Sequence, residues 1–170
     1  MGVEQPAGSS ADQTRALELL KESFPEDVLE AGTVQGDATA VIQPGALVRV
    51  MEFLKDDGRL RFDLLVDITA VDYLGRMPRF DVVYHLVSLP FNQRLRIKVP
   101  VDGDIPAVDS LTSLWGSADW LEREVWDMFG VRFTGHPNLK RILLYEEFQG
   151  HPLRKDYPIH RRQPLIGPKN

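Results

Sequence analysis

Three groups of residues have the types and spacing to do chemistry. The first is the stretch 121–130, LEREVWDMFG, which sets Glu122, Glu124 and Asp127 around Arg123. Carboxylates in unlike environments are the usual equipment for general acid and base work. On a helix these three acids point in different directions with Arg123 among them, so the residues read as a network that fixes packing or docking. Asp119 and Arg123 have the i, i+4 spacing of a helical ion pair. Leu121, Val125 and Met128 or Phe129 can face a core, and Glu122 shares another face with Trp126.

The second group is the histidines, His85, His136, His151 and His160. His136 and His151 precede Pro137 and Pro152, which holds their backbones extended. Two stiffly held imidazoles raise a metal-enzyme or hydrolase reading. The pair lacks a helical i, i+4 partner and any thiolate, so no metal ligand is assigned. His85 falls in a strand and reads as a hydrogen-bonded structural histidine. The third group is GHPLRKDYP at 150–158, which places Arg154, Lys155 and Asp156 between prolines and beside Tyr157. A pre-stiffened segment of alternating anchors and charges suits binding in a groove, because little backbone entropy remains to be lost. Basic residues near aromatics could also bind nucleic acid, but protein docking is the preferred reading and no nucleic-acid partner is assigned.

Other chemistry finds no footing. There is no glycine-rich dinucleotide or phosphate loop and no G-x-S-x-G nucleophile elbow. There is no cysteine, which excludes disulfides, thiolate zinc sites and cysteine-held iron–sulfur clusters on this chain. No catalytic, cofactor-binding or metal residue is therefore assigned, and any redox centre belongs to a partner. Residues 1–13 lack the basic start and apolar run of a signal peptide. No window approaches the roughly 18 apolar residues of a membrane-spanning helix. These features predict a cytosolic, peripheral location.

The elements that must position these residues follow from periodicity. At 170 residues one hydrophobic core is the default. Residues 1–11 read as a disordered lead-in, 12–131 as an α/β domain and 132–170 as an extended C-terminal docking arm. The charge divides at the same place: up to Val131 there are 12 Lys/Arg against 22 Asp/Glu, and from Arg132 onward 8 against 3. A helix is predicted over 12–23, and strands over 28–34 and 38–43. A second helix starts at Pro44, with Leu47, Val50, Met51 and Leu54 on one face and Gly58 closing it.

Three alternating strands come next. The first sets Phe62, Leu64, Val66, Ile68 and Ala70 on one face, and the second spans 80–89. The third turns Leu95, Ile97, Val99 and Val101 inward, with Arg94, Arg96 and Lys98 outward to face acids such as Asp63, Asp67 or Asp81. A third helix runs from a Ser117 cap to Phe129 and stops at Gly130. Beyond it the density of Pro and Gly leaves room for one short strand, near 141–145. The fold class is α+β, a two-layer α/β arrangement with a mixed or antiparallel sheet and helices packed on it.

The strings Glu122–Gly130, Phe133 with Gly135-His136-Pro137, Arg141-Ile142-Leu143 and Gly150–Pro158 occur in an order that resembles the 30-kilodalton subunit, or C subunit, of proton-pumping NADH:quinone oxidoreductase, respiratory complex I. One departure is Gln149, where the family pattern usually has an acid. The resemblance implies a structural subunit of the hydrophilic arm, with no flavin or iron–sulfur cluster of its own. FMN and the iron–sulfur clusters would sit on other subunits. It implies as neighbours the D and B subunits, which form the quinone site and carry the last cluster, and a C-terminal extension that wraps them. It further implies a separate polypeptide rather than one fused to the D subunit, peripheral to the cytoplasmic face of the bacterial inner membrane. The docking residues it marks are Glu122, Arg123, Glu124, Asp127, Gly130, His136, Pro137, Arg141, His151, Arg154, Lys155, Asp156 and Tyr157. An equivalent subunit of a membrane-bound hydrogenase, or of a complex with another electron donor, is the alternative within the same class.

Overall fold

A computed structural model describes residues 10–163, with side chains from residue 15 onward. The predicted lead-in lies outside the described residues as far as residue 9. Ser10 and Ala11 already belong to the first helix, α1 (Ser10–Ser23), which turns Ala16, Leu17 and Leu20 into the core. It lies over β1 (Val28–Val34) and β2 (Asp37–Ile42), an antiparallel pair. Pro44 opens a 3-10 turn, Pro44–Ala46, that leads into α2 (Leu47–Asp56). Pro suits such a start because its fixed φ matches and its missing N–H has no partner to lose. The four apolar residues at i, i+3, i+4 and i+7 of α2 are all buried, as the spacing predicts.

Strands β3 (Leu64–Asp72), β4 (Phe80–Ser88) and β5 (Gln93–Val101) form an antiparallel meander. β5 also pairs parallel with β2, giving a mixed five-stranded sheet of order β1-β2-β5-β4-β3. The expected class of mixed sheet with helices packed on it is borne out. One face carries Ala38, Ala40 and Ile42, then Leu95, Ile97, Val99 and Val101, then Phe80, Val82, Tyr84 and Leu86, then Ile68 and Ala70, all buried. Each large aliphatic or aromatic side chain removed from water there contributes roughly 1.5–3 kcal/mol.

After β5 come β6 (Ala107–Asp109), α3 (Ala118–Phe129) and β7 (Arg132–Thr134), with β6 and β7 paired parallel. Three-residue strands are too short to show a period, and the sequence reading missed both. α3 packs against β3 and ends at Gly130, whose φ of +77 is the left-handed cap that glycine adopts without Cβ strain.

Four expectations are corrected. Leu64 and Val66 do not face the core: the register slips between Leu65 and Asp67, so Leu65 is buried while Leu64 and Val66 open to solvent. One extra residue in a strand reverses the alternation on either side of it. The row on β5 does not meet Asp63, Asp67 or Asp81; Arg96 instead bonds Asp37 at 2.7 Å on the parallel neighbour β2, a contact created by the crossover between β2 and β5. The i, i+4 pair of Asp119 and Arg123 does not form, because Arg123 turns to the chain beyond α3. Residues 141–145 form no strand, since the backbone N–H groups of Ile142, Leu143 and Leu144 all donate to one carboxylate, that of Asp127.

Candidate docking site: helix α3 and the arm it clamps

Helix α3 spends its charged residues inward. Glu122, Arg123 and Asp127 are buried, whereas Glu124 faces solvent. Ser117 sits at the helix start but donates its hydroxyl to the Leu65 carbonyl at 2.9 Å, which ties α3 to β3 beside the bulge.

Asp127 is the centre of the arrangement. Its Oδ2 accepts the N–H groups of Ile142 (3.1 Å), Leu143 (2.9 Å) and Leu144 (2.9 Å), and its Oδ1 accepts from the Arg141 guanidinium at 2.6 Å. Burial alone would push this carboxyl up. The Leu144 N–H, the Arg141 guanidinium and the other two N–H groups outweigh it, and the group is held below its ordinary value. Arg141 also donates to the carbonyls of Phe148 (2.8 Å) and Gly150 (3.0 Å). Arg123 donates to the carbonyls of Lys140 and Arg141, both at 3.1 Å, with its guanidinium over the Trp120 ring. One acid and two arginines thus give a stretch with little regular structure the hydrogen bonds a ladder would otherwise supply.

Glu122 does the same on the other side of α3. It accepts from the Leu111 N–H and the Ser110 hydroxyl, each at 2.7 Å, fixing the loop after β6. Its carboxyl is raised above the ordinary value chiefly by burial, against those two donors. Glu122 and Asp127 hold different segments of backbone and are not joined as an acid–base pair.

His136 and His151 are engaged singly. The His136 side chain is buried; its Nε2 donates to the Asp119 carbonyl at 3.1 Å and its Nδ1 accepts from the Asn138 N–H at 3.0 Å. Pro137 beside it is exposed. His151 donates Nδ1–H to the Asp127 carbonyl at 3.0 Å. Its ring lies so close to Gly130 that a Cβ there would stand 2.6 Å from Cδ2. Burial lowers the His151 pKa, and Arg141 and Arg154 add to the effect. Among the described residues no group of three or more His, Asp or Glu side chains could hold a metal ion.

The last part of the arm returns to the sheet. Asp72, buried at the end of β3, accepts from Arg79 twice at 2.7 Å and from the Lys155 N–H at 2.7 Å. Arg79 also reaches Asp156 at 2.9 Å, and the Arg154 guanidinium lies over the Phe80 ring. Gly150, at φ +98, leaves room for Tyr157, whose Cε2 would be 2.9 Å from a Cβ there. Gln163 donates to the Tyr157 hydroxyl and the Gln149 carbonyl, and Arg161 donates to the Gln149 side chain. The departure at Gln149 is therefore accommodated by a neutral partner for Arg161. The structure brings together the marked residues Arg123, Asp127, Gly130, Arg141 and His151 around the end of α3. Lys155 and Asp156 sit with Asp72 and Arg79, two residues that pattern reasoning missed. The only sequence signal for Asp72 is an acid at the inward phase of a strand, and Arg79 carries none.

Fold and site together define a class: an α/β domain in which buried Arg123, Asp127 and Asp72 hold its own C-terminal segment against it. The chain belongs to the family described as respiratory-chain NADH dehydrogenase, 30 Kd subunit, whose model matches residues 40–163. The C subunit of NADH-quinone oxidoreductase from Citrifermentans bemidjiense is 47% identical over 159 residues, 92% of this chain and 98% of that protein. Its counterpart of the same name from Roseiflexus sp. is 49% identical, over 87% of this chain and 85% of that one. Among solved structures, the trypsin-resistant fragment (1-134) of Nqo5 superposes with a TM-score of 0.65 at 36% identity, covering 75% of this chain and 99% of the fragment. A chain of the membrane-bound sulfane sulfur reductase, an archaeal respiratory membrane complex, shares the fold with a TM-score of 0.74 at 20% identity, over 86% of each chain.

Proposed function

We propose that the chain is a structural subunit of the hydrophilic arm of proton-translocating NADH:quinone oxidoreductase, and that its segment beyond α3 is the part that fastens it to neighbouring subunits. In this reading electrons pass from NADH through flavin and iron–sulfur clusters on other subunits to quinone. This chain contributes no catalytic group and binds no cofactor. The D and B subunits are the proposed neighbours, and the complex holds the chain peripherally at the cytoplasmic face of the bacterial inner membrane. No described helix is long and apolar enough to cross a membrane, so attachment would run through partners.

The observation that carries the reading is how the arm is held. Asp127, Arg123, Arg141 and Asp72 fix its backbone, while Leu143, Leu153 and Ile159 stay 62%, 51% and 91% exposed. A backbone immobilised in advance with large apolar side chains left outward loses little entropy on meeting a partner surface. The identity shared with C subunits of NADH-quinone oxidoreductase supports the complex, and the absence of cysteine supports cofactors held elsewhere. The test is a strain carrying the chain without residues 150–170. The expected result is loss of the D and B subunits from the affinity-purified complex, together with NADH-dependent quinone reduction. Intact assembly and activity would overturn the docking role of the arm.

A further inference from the structure

The face of the sheet turned away from the core carries a groove of about 590 Å³ along β3, β4 and β5, lined by Val66, Asp67, His85, Val87, Arg94 and Arg96 among others. It lies at the Leu64, Val87 and Arg94 end of these strands, the end opposite the Asp72 and Phe80 corner to which the arm is tied. Three features set it apart from an ordinary solvated sheet face. First, the bulge in β3 leaves Leu64 and Val66 43% and 55% exposed, two aliphatic side chains that regular alternation would have placed in the core. Bulges that re-aim side chains recur at functional edges. Second, Arg96 is already engaged, by Asp37 at 2.7 Å and Thr39 at 3.3 Å. Third, the neighbouring Arg94 is exposed, and its guanidinium has no hydrogen bond or ion pair among the described residues.

We propose that this groove is a second docking site, which receives a segment of a neighbouring protein subunit carrying an aliphatic side chain beside a carboxylate. The aliphatic group would lie on Val66 and Val87, and the carboxylate would take the free donors of Arg94, a geometry that arginine serves with two parallel N–H bonds. A concave site beside the fixed Arg96–Asp37 ion pair admits a protruding protein segment and not a flat lipid surface. The occupant is a different chain, since a subunit of such a complex meets unlike neighbours, and pairing with a second copy is an outcome the cross-link separates. The proposal rests on the reading of this protein as a subunit of a larger complex.

The experiment places the photo-reactive residue p-benzoylphenylalanine at position 66 in the full-length chain, expressed in cells and purified in the native complex. The expected result is one cross-link to another subunit, mapping to a peptide that contains Asp or Glu. Its yield falls roughly tenfold with Arg94→Glu, the loss expected when one charge-assisted contact is removed; Arg94→Gln, which leaves the strand surface neutral, gives a smaller fall. Lipid adducts, a cross-link to a second copy, or no cross-link from a chain present in the complex would overturn the groove while leaving the subunit reading in place. An unchanged yield in Arg94→Glu would overturn the carboxylate. Recovery of the chain without other subunits would overturn both readings together.

Discussion

At the scale of single residues, Asp127 is the side chain on which the arm depends most. A buried acid that answers three backbone N–H groups and one guanidinium cannot be removed without leaving the three N–H groups unpaired and Arg141 without its carboxylate. Breaking a buried charge pair from one side costs about 3–5 kcal/mol. Asp127→Ala is therefore expected to lower the unfolding free energy of the purified chain by about that amount in a urea titration. A loss below about 1 kcal/mol, the range of an exposed ion pair, would show that solvent replaces these contacts. This role was only half legible in the sequence. The helix, its closing glycine and the run of charges were readable from spacing, but which charges turn inward was not. Three acids spread around α3 gave no sign that Glu122 and Asp127 are buried and Glu124 is not, because that depends on loops far along the chain at Ser110 and Ile142.

At the scale of elements, what could be read divides by length and by locality. Long strands without a register shift between them, β4 and β5, and the i, i+3, i+4, i+7 face of α2 came directly from the run of apolar residues and its period. The phase of β3 did not, since a single extra residue near Val66 reverses it. The supposed strand at 141–145 has strand composition, yet its N–H groups are taken by a side chain of α3, a tertiary choice that local pattern does not encode. The junction of α3 with the β6 loop makes a pH prediction. Glu122 has its pKa raised above the ordinary 4.5, mainly by burial, so the folded state holds its proton more tightly than the unfolded state does. The stability this group contributes is then fully present below 4.5 and is lost as pH rises through its folded value. Glu122→Gln keeps an acceptor for the Leu111 N–H and cannot ionise. The stability of the Gln variant relative to the parent should rise with pH above 4.5 and then level off. Chemical denaturation of both proteins across that range checks it, and a pH-independent difference would mean that Glu122 is not desolvated as its burial implies.

At the scale of the whole molecule, the body and the arm are joined by two unlike fastenings. Around α3 the arm is held by buried groups, whereas the return to the sheet rests on one acid at the end of β3, where Asp72 binds both Arg79 and the Lys155 N–H, 83 residues further along. Asp156 contributes from the exposed side, at 49% side-chain exposure, and an ion pair so placed is worth little on its own. The two acids should therefore behave differently when removed, although both touch Arg79. Asp72→Ala deletes the acceptor for the arm backbone and leaves Arg79 with a single partner, so local opening of the segment becomes cheaper while the core stays folded. Cleavage by trypsin after Arg154 or Lys155, followed by mass spectrometry, should speed up by about tenfold or more. Asp156→Ala should change it by no more than about twofold. If the two variants are cut at the same rate, the sheet corner does not hold the arm, and its position is set by the contacts around α3, those of Arg123, Asp127, Arg141 and His151.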